Sequence, residues 1–332
     1  MKKWHKFKQQ KLSYYSFIIL CLLCVFTLPL GLISNDKPLI ISYNQQLYFP
    51  ILFDYSEKVF GGTLNGQTDY LDPYIKNNIT KNGNFALYTL NTYDANTINY
   101  FTSKPNPAPP SLENFLGTDD TGRDMLARIL YSFRLSIWFG IALAVINLVI
   151  GSLIGAIQGY YGGKTDLWTQ RFLEIWGNIP EIYLLIIVAS IFQPNIWLLI
   201  LLFSLFSWLG TADYIRLECI KIRQMDYIKA AKITGLNNLQ IIIKHVIPNV
   251  LTPLITMFPF KVSQGIVVLT ALDFLGLGLP PTSASIGALL SQAKANLEAW
   301  WIAIPSVLVV GIIVLLLTFI GDGLTKAFNV RK

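Results

Sequence analysis

Four long stretches of this sequence carry no charged residue: 13–33, 135–157, 196–212 and 302–321 hold no Asp, Glu, Lys or Arg. Crossing the hydrocarbon of a bilayer takes ~20 consecutive apolar residues in a helix, so each stretch reads as a membrane span. Two further candidates are less clean. Residues 172–192 contain Glu174 and Glu181 and are bent by Pro180, and residues 249–275 contain Lys261 and Asp273. The chain is 14% charged, against about 25% in an ordinary soluble domain. These features predict an all-α integral membrane protein with six transmembrane helices.

The first span follows a basic stretch, as a signal peptide would. Its apolar run exceeds the ~7–15 residues of a signal core and no clean cleavage site ends it, so it is expected to remain as an anchor. Lys and Arg set the orientation. Five lie in residues 1–12, two in 158–174, six in 216–246 and three from 322 onward. All four stretches fall on one side of six alternating spans, which is expected to be cytoplasmic with both termini. The other side holds seven in residues 34–131, beside ten acids, and Lys294. Topology therefore accounts for the net charge of +7, and the scattered basic residues form no nucleic-acid stripe.

Three parts follow: a tail and anchor helix (1–33), an external segment (34–131) and a five-helix core (132–332) with a cytoplasmic loop at 216–248. The external segment should contain strands near 39–43 and 46–51, turns at Asn65-Gly66 and Asn82-Gly83, and a stiff Pro-rich spacer at 104–110. Cys21 and Cys24 sit at C-x-x-C spacing inside an apolar span, where they read as filler. Cys219 should face the cytoplasm and be reduced.

Residues 226–248 read as a polar helix–turn–helix. Gly235 suits the left-handed position after a helix, Asn237 should cap the next helix with Gln240 as its capping-box partner, and Pro248 should mark the turn back into lipid. Ala231 and Gly235 permit close approach, with Tyr227, Ile228 and Ile233 as apolar anchors. On that expectation Ala231→Glu, or a bulky residue at Gly235, abolishes transport while leaving insertion intact. Before the second span, Leu116-Gly117-Thr118-Asp119-Asp120-Thr121-Gly122-Arg123-Asp124 reads locally as a polar turn, with Thr121 or Asp120 as helix cap and Asp124 in the first helical turn. Gly162-Gly163-Lys164-Thr165 lacks the first glycine of a phosphate loop, since position 158 is Gln158, and no strand precedes it. This chain is therefore expected not to hydrolyse ATP. Two isolated histidines, His5 and His245, provide neither a metal site nor a catalytic dyad. Lys261, with Gln264 on the same span, reads as a pathway charge or as a snorkelling or ion-paired lysine; Asp273 should cap the outer helix end. Glu174 and Glu181, seven apart on one helical face, suggest a proton relay or a solvated helix start.

The pattern Ala230-Ala231, Gly235, Ile247-Pro248 resembles the EAA loop of ABC-importer permeases, with Lys229 in place of the usual Glu and His245 in place of Ile. Leu116–Asp124, Gln158-Gly159-Tyr160-Tyr161-Gly162-Gly163 and Leu272-Asp273-Phe274-Leu275-Gly276-Leu277-Gly278-Leu279-Pro280 are similar to the C-type permeases of dipeptide and oligopeptide importers. The external segment, with Ser34–Leu39, Tyr48-Phe49-Pro50 and Phe60-Gly61-Gly62, resembles the YejE branch, which is linked to uptake of peptides and of microcin C-type antibiotics. The resemblance implies an inner-membrane permease paired with a homologous B-type permease, two ATPase subunits or domains that bind ATP and Mg, and an external solute-binding protein delivering peptide. It also implies that the EAA-like loop seats in the ATPase. Two other readings are a proton-coupled secondary transporter, which would need several buried acids or histidines and inverted repeats, and a membrane-anchored scaffold for the external segment.

Overall fold

The computed structural model describes residues 2–81, 83–100, 102 and 104–328. The Asn82-Gly83 turn therefore falls partly outside the described residues, as do Arg331 and Lys332 of the basic tail. Among the described residues, three helices are long and apolar enough to cross a membrane: Met125–Tyr161, Asn238–Phe274 and Trp300–Phe328. Three bent pairs complete the set, giving up to six spans if each pair counts as one.

Proline and loop chemistry explain the breaks. Helix α1 (Lys2–Gln9) meets α2 (Lys11–Phe26) at 97°. The first span was expected to run to residue 33; instead α2 ends at Phe26, and α3 (Leu30–Ile33) is a separate turn. Pro29 has no N–H to continue the ladder and its ring would strike the Val25 carbonyl, four residues back. Helices α6 (Gly163–Gly177) and α7 (Glu181–Ile191) meet at 59°, with Pro180 at the start of α7. Glu174 and Glu181 thus lie on two differently directed helices rather than one face, and Glu174 pairs with Arg171 at 2.6 Å. The relay geometry is absent. Helices α8 (Ile196–Ser204) and α9 (Leu209–Arg223) meet at 41°.

The chain divides into two compact bodies, with boundaries inside α2, α5 (Met125–Tyr161) and α14 (Trp300–Phe328). The first comprises Met1–Leu22, Ser136–Pro280 and Val310–Lys332. Close packing joins α5 to α9. Gly151, Gly155 and Gly159 recur every fourth residue, and a Cβ on Gly151 would come 2.6 Å from the Thr211 side chain. A stripe of this kind lets two helix backbones approach where lipid supplies no hydrophobic drive. Buried polar contacts add to it: Asn147 donates to the Ser207 carbonyl at 2.6 Å and accepts from the Thr211 hydroxyl at 2.5 Å.

The second body comprises Leu23–Leu135 and Pro281–Val309. It holds a three-stranded antiparallel sheet ordered β2-β1-β3, from β1 (Ile40–Tyr43), β2 (Gln46–Tyr48) and β3 (Phe85–Leu87). The first two are the expected strands; the alternation around 85–87 was too short to notice. Asn44 and Gln45 both take positive φ between β1 and β2, the backbone a two-residue hairpin requires. Helix α4 (Pro73–Thr80) is capped by Asp72 and buries Ile75 and Ile79 beside Ile41, Phe60 and Tyr70. Helix α13 (Ile286–Ala295) packs Leu289 and Ala293 against Met125, Ile129 and Ile302.

Candidate functional site: the polar element at residues 226–248

Helix α10 (Asp226–Ile233) ends in a left-handed turn. Gly235 takes φ +85°, its N–H donates to the Lys232 carbonyl, and the Leu236 N–H reaches back to Ala231. These are the paired bonds that satisfy a helix end through a residue without Cβ. Helix α11 (Asn238–Ile241) then opens on the expected capping box: Asn237 Oδ1 accepts from Gln240 N at 2.8 Å, and Gln240 Oε1 accepts from Asn237 N at 3.1 Å.

Pro248 does not turn the chain. The helix continues from α11 through a π-helical segment, Ile242–Val246, into α12 (Ile247–Phe274). The Ile247 N–H donates to the Ile242 carbonyl five residues back. Widening the turn just before a residue with no N–H relieves the clash proline would otherwise cause. His245 sits in this segment, its ring 6.3 Å from that of Tyr227.

The inner side of the element is built into the first body. Ile228, Ala231, Ile241, Ile242 and Val246 are buried with Ala156 and Tyr160 of α5 and Ile215, Cys219 and Ile222 of α9. Cys219 is thus a core residue, fully enclosed, rather than one facing solvent. Ile228 likewise anchors the element to its own chain and is unavailable as an outward anchor. Because Ala231 is buried, Ala231→Glu would place an unpaired carboxylate in this core, so it does not isolate docking from folding. Around the cluster, Arg216 Nε and Nη2 grip the Asp166 carboxylate at 2.5 and 2.7 Å, Arg223 donates to the Tyr160 and Tyr161 carbonyls, and the Tyr160 hydroxyl meets Asn238 Oδ1 at 3.0 Å. None of these long-range pairs was visible in the sequence; residues 166 and 216 are 50 apart.

The outer side is different. Tyr227, Ile233, Leu239 and Ile243 are exposed, Ile233 by 87%. They sit among exposed Asp226, Lys229, Lys232 and Lys244. Lys229 pairs only locally, with Asp226 at 3.1 Å. Ala230 and Gly235 are exposed, Ile247 half-buried and Pro248 exposed.

The second body organises the segment 116–124 by burying most of it, with Asp120 and Thr121 left exposed. Asp119, fully enclosed, accepts at Oδ1 from Thr121 N, Thr121 Oγ1 and Arg123 N, and at Oδ2 from Arg123 Nε. Arg128 Nε lies 3.5 Å from Oδ2. Arg123 and Arg128 also donate to the Pro281, Ala95 and Ser283 carbonyls. Thr118 Oγ1 bridges Ala108 N and Asn106 Oδ1, and a Cβ on Gly117 would strike Trp301 and the Ala108 carbonyl. The helix cap is Asp124, not Asp120 or Thr121: its Oδ1 accepts from Ala127 N at 2.8 Å, and Asn91 and Asn114 donate to its two oxygens. Burial pushes the Asp124 carboxyl above the usual carboxylate range despite those bonds, and Asp120 is raised by burial too. Arg128, Asn91 and Asn114 escaped the sequence reading, because nothing in the local pattern marks them.

At the end of α12, Gly276 takes φ +73° and the Leu277 N–H reaches back to Leu272, repeating the closure at Gly235. Buried Asp273 accepts from Leu279 N at 2.7 Å, so it ties down the following loop, with Phe274 and Leu275 exposed before it and Gly278 against its carboxylate. Within α12, Lys261 is half-buried and Gln264 exposed, and no described acid pairs with Lys261.

The sequence profile of the family described as "Binding-protein-dependent transport system inner membrane component" matches residues 148–332. The chain belongs to this family. The permease is 44% identical over 330 residues to the inner membrane ABC transporter permease protein YejE of Escherichia coli (strain K12), covering 99% of this chain and 96% of that one. It is 36% identical to the peptidoglycan transport system permease protein YejE of Agrobacterium fabrum, over 100% of this chain and 93% of that one. With the oligopeptide transport system permease protein OppC of Haemophilus influenzae it shares 38% over 67% of this chain and 72% of that one. It is an ABC permease of the YejE branch, a multi-pass protein of the inner membrane.

Proposed function

We propose that this permease carries peptides or peptide-like compounds into the cytoplasm, driven by two partner ATPase subunits or domains that seat on residues 226–248. The observation that carries this reading is the two-sided construction of that element: Ile228 and Ala231 locked into α5 and α9, and Ile233, Tyr227, Leu239 and Ile243 left bare among lysines. Large apolar side chains in polar surroundings mark a surface completed by another protein. Force applied to that surface passes directly into the helices behind it.

In this reading both termini and residues 216–248 face the cytoplasm and residues 34–131 face outward, between the anchor (1–33) and the permease core (132–332). A homologous B-type permease lines the path with this chain, Lys261 and Gln264 contribute polar groups to it, and an external solute-binding protein delivers the peptide. ATP and Mg belong to the partner ATPase, and this chain contributes no catalytic group. The peptide class is drawn from the names of its relatives, and microcin C-type cargo from resemblance to the YejE branch.

The test is cysteine crosslinking at Ile233 and Leu239 in membranes. Capture of the ATPase, together with loss of peptide uptake for Ile233→Asp at normal membrane abundance, is expected. Normal uptake by that variant, or labelling of residue 233 from outside the cell, would overturn the proposal.

A further inference from the structure

The second body contains a cleft of about 770 Å³, within the roughly 300–1,000 Å³ of small-molecule sites. Its walls carry three carboxylates, Asp36, Asp69 and Glu113, and two lysines, Lys37 and Lys76. Tyr100 and Phe115 also line it, the two residues being 76% and 57% exposed.

The charges do not balance. Lys37 is already paired, at 2.5 Å, with Asp54, which lies outside the cleft wall. Lys76 rides over the Tyr88 ring at 5.8 Å. By contrast the hydrogen bonds at Asp36 and Asp69 come from neutral donors: Asp36, which also feels the charge of neighbouring Lys37, accepts from the Thr97 hydroxyl at 2.8 Å, and Asp69 accepts from the Leu71 N–H at 2.9 Å. Among the described residues no ion pair forms at Asp36, Asp69 or Glu113. A concave surface with surplus negative charge favours a cation through Coulomb attraction focused by its walls. Exposed aromatic faces add cation–π attraction and apolar area.

We propose that this cleft binds the cationic end of a peptide-like solute, with its ammonium or guanidinium among Asp36, Asp69 and Glu113 and an apolar side chain against Tyr100 and Phe115. The solute class rests on the peptide-permease reading; the preference for a cation rests on the cleft alone. Its lining shares no residue with 226–248 and includes neither Lys261 nor Gln264.

The experiment uses the full-length chain in nanodiscs and two tripeptides, Arg-Phe-Ala-amide and acetyl-Gln-Phe-Ala-amide, followed by calorimetry. The cationic peptide should bind about tenfold or more tightly than the neutral one, a gap that narrows with added salt. D69N/E113Q should erase the difference, and Tyr100→Ala should weaken both peptides by about three- to tenfold. Tyr100 is exposed, so that variant remains informative if the double variant does not fold. Equal binding of the two peptides, binding of neither, or an unchanged gap in D69N/E113Q overturns the proposal. Uptake by Ile233→Asp cells reports on the importer reading independently, so the two ideas can fail separately.

Discussion

Two short motifs of this permease look alike on paper and behave oppositely in space. Residues 116–124 and 226–248 each combine a glycine at positive φ, charged side chains and an adjoining helix start. In the first, Thr118, Asp119 and Asp124 are enclosed, and their partners come from far along the chain, such as Asn91 and Trp301. In the second, the capping bonds of the turn are local, one long-range side-chain bond comes from the Tyr160 hydroxyl to Asn238, and the exposed surface carries Tyr227, Ile233 and Leu239. A motif whose polar groups are satisfied internally is explained by the fold it belongs to. One that leaves large apolar groups bare is the surface proposed above to receive the ATPase.

Substitutions can break that contrast. The largest structural effect is expected from Asp119→Ala, which strands Arg123 and Arg128 in an enclosed site and should cost ~3–5 kcal/mol, read as loss of folded chain from membranes. Ile228→Ala should follow at ~2–5 kcal/mol by opening a cavity in the core behind α10, measured by thermal unfolding in detergent. Ile233→Asp should change stability by no more than ~0.5 kcal/mol yet abolish ATP-linked uptake; equal destabilisation by the two isoleucine variants would erase the distinction between inner and outer sides. Gly235→Ala, forced to keep φ +85°, should cost ~1–2 kcal/mol, and Asn237→Ala ~1 kcal/mol through loss of the cap, both read by unfolding.

The smallest expected effect is in pH. Because burial raises Asp124 and Asp120, the folded chain holds their protons to higher pH than the unfolded chain does. Their contribution to stability should therefore fall as pH rises from the ordinary carboxylate range through the raised native values. Asp124→Asn should flatten that part of the stability curve.

Local chemistry was legible in the sequence, and distant pairing was not. The turn at Gly235, the Asn237–Gln240 box, the bend at Pro180 and the strand positions around 40–48 all follow from residues within a few places of each other. The error at Pro248 came from treating proline as a stop, when a π turn upstream absorbs it. Assigning the cap to Asp120 or Thr121 failed because Asp119 uses the intervening backbone, leaving Asp124 at the helix start. Which side of α10 is buried depends on α5 and α9, whose approach is set by a glycine stripe paired with residues about 60 positions away. Arg128 could not be anticipated: an arginine at the start of an apolar helix looks like a snorkelling residue until the carbonyls of Ala95 and Ser283 are seen around it.

Continuity through Pro248 has a mechanical corollary. Residues 238–274 form one continuous 37-residue helix that carries Pro253 and Pro259 within it, about 55 Å long at the usual rise per residue. Pivoting such a helix by roughly 5° would sweep its far tip through about 5 Å, close to one helical pitch. On the proposed reading, a small nudge at one end would be geared up into a displacement large enough to open or shut a passage at the other.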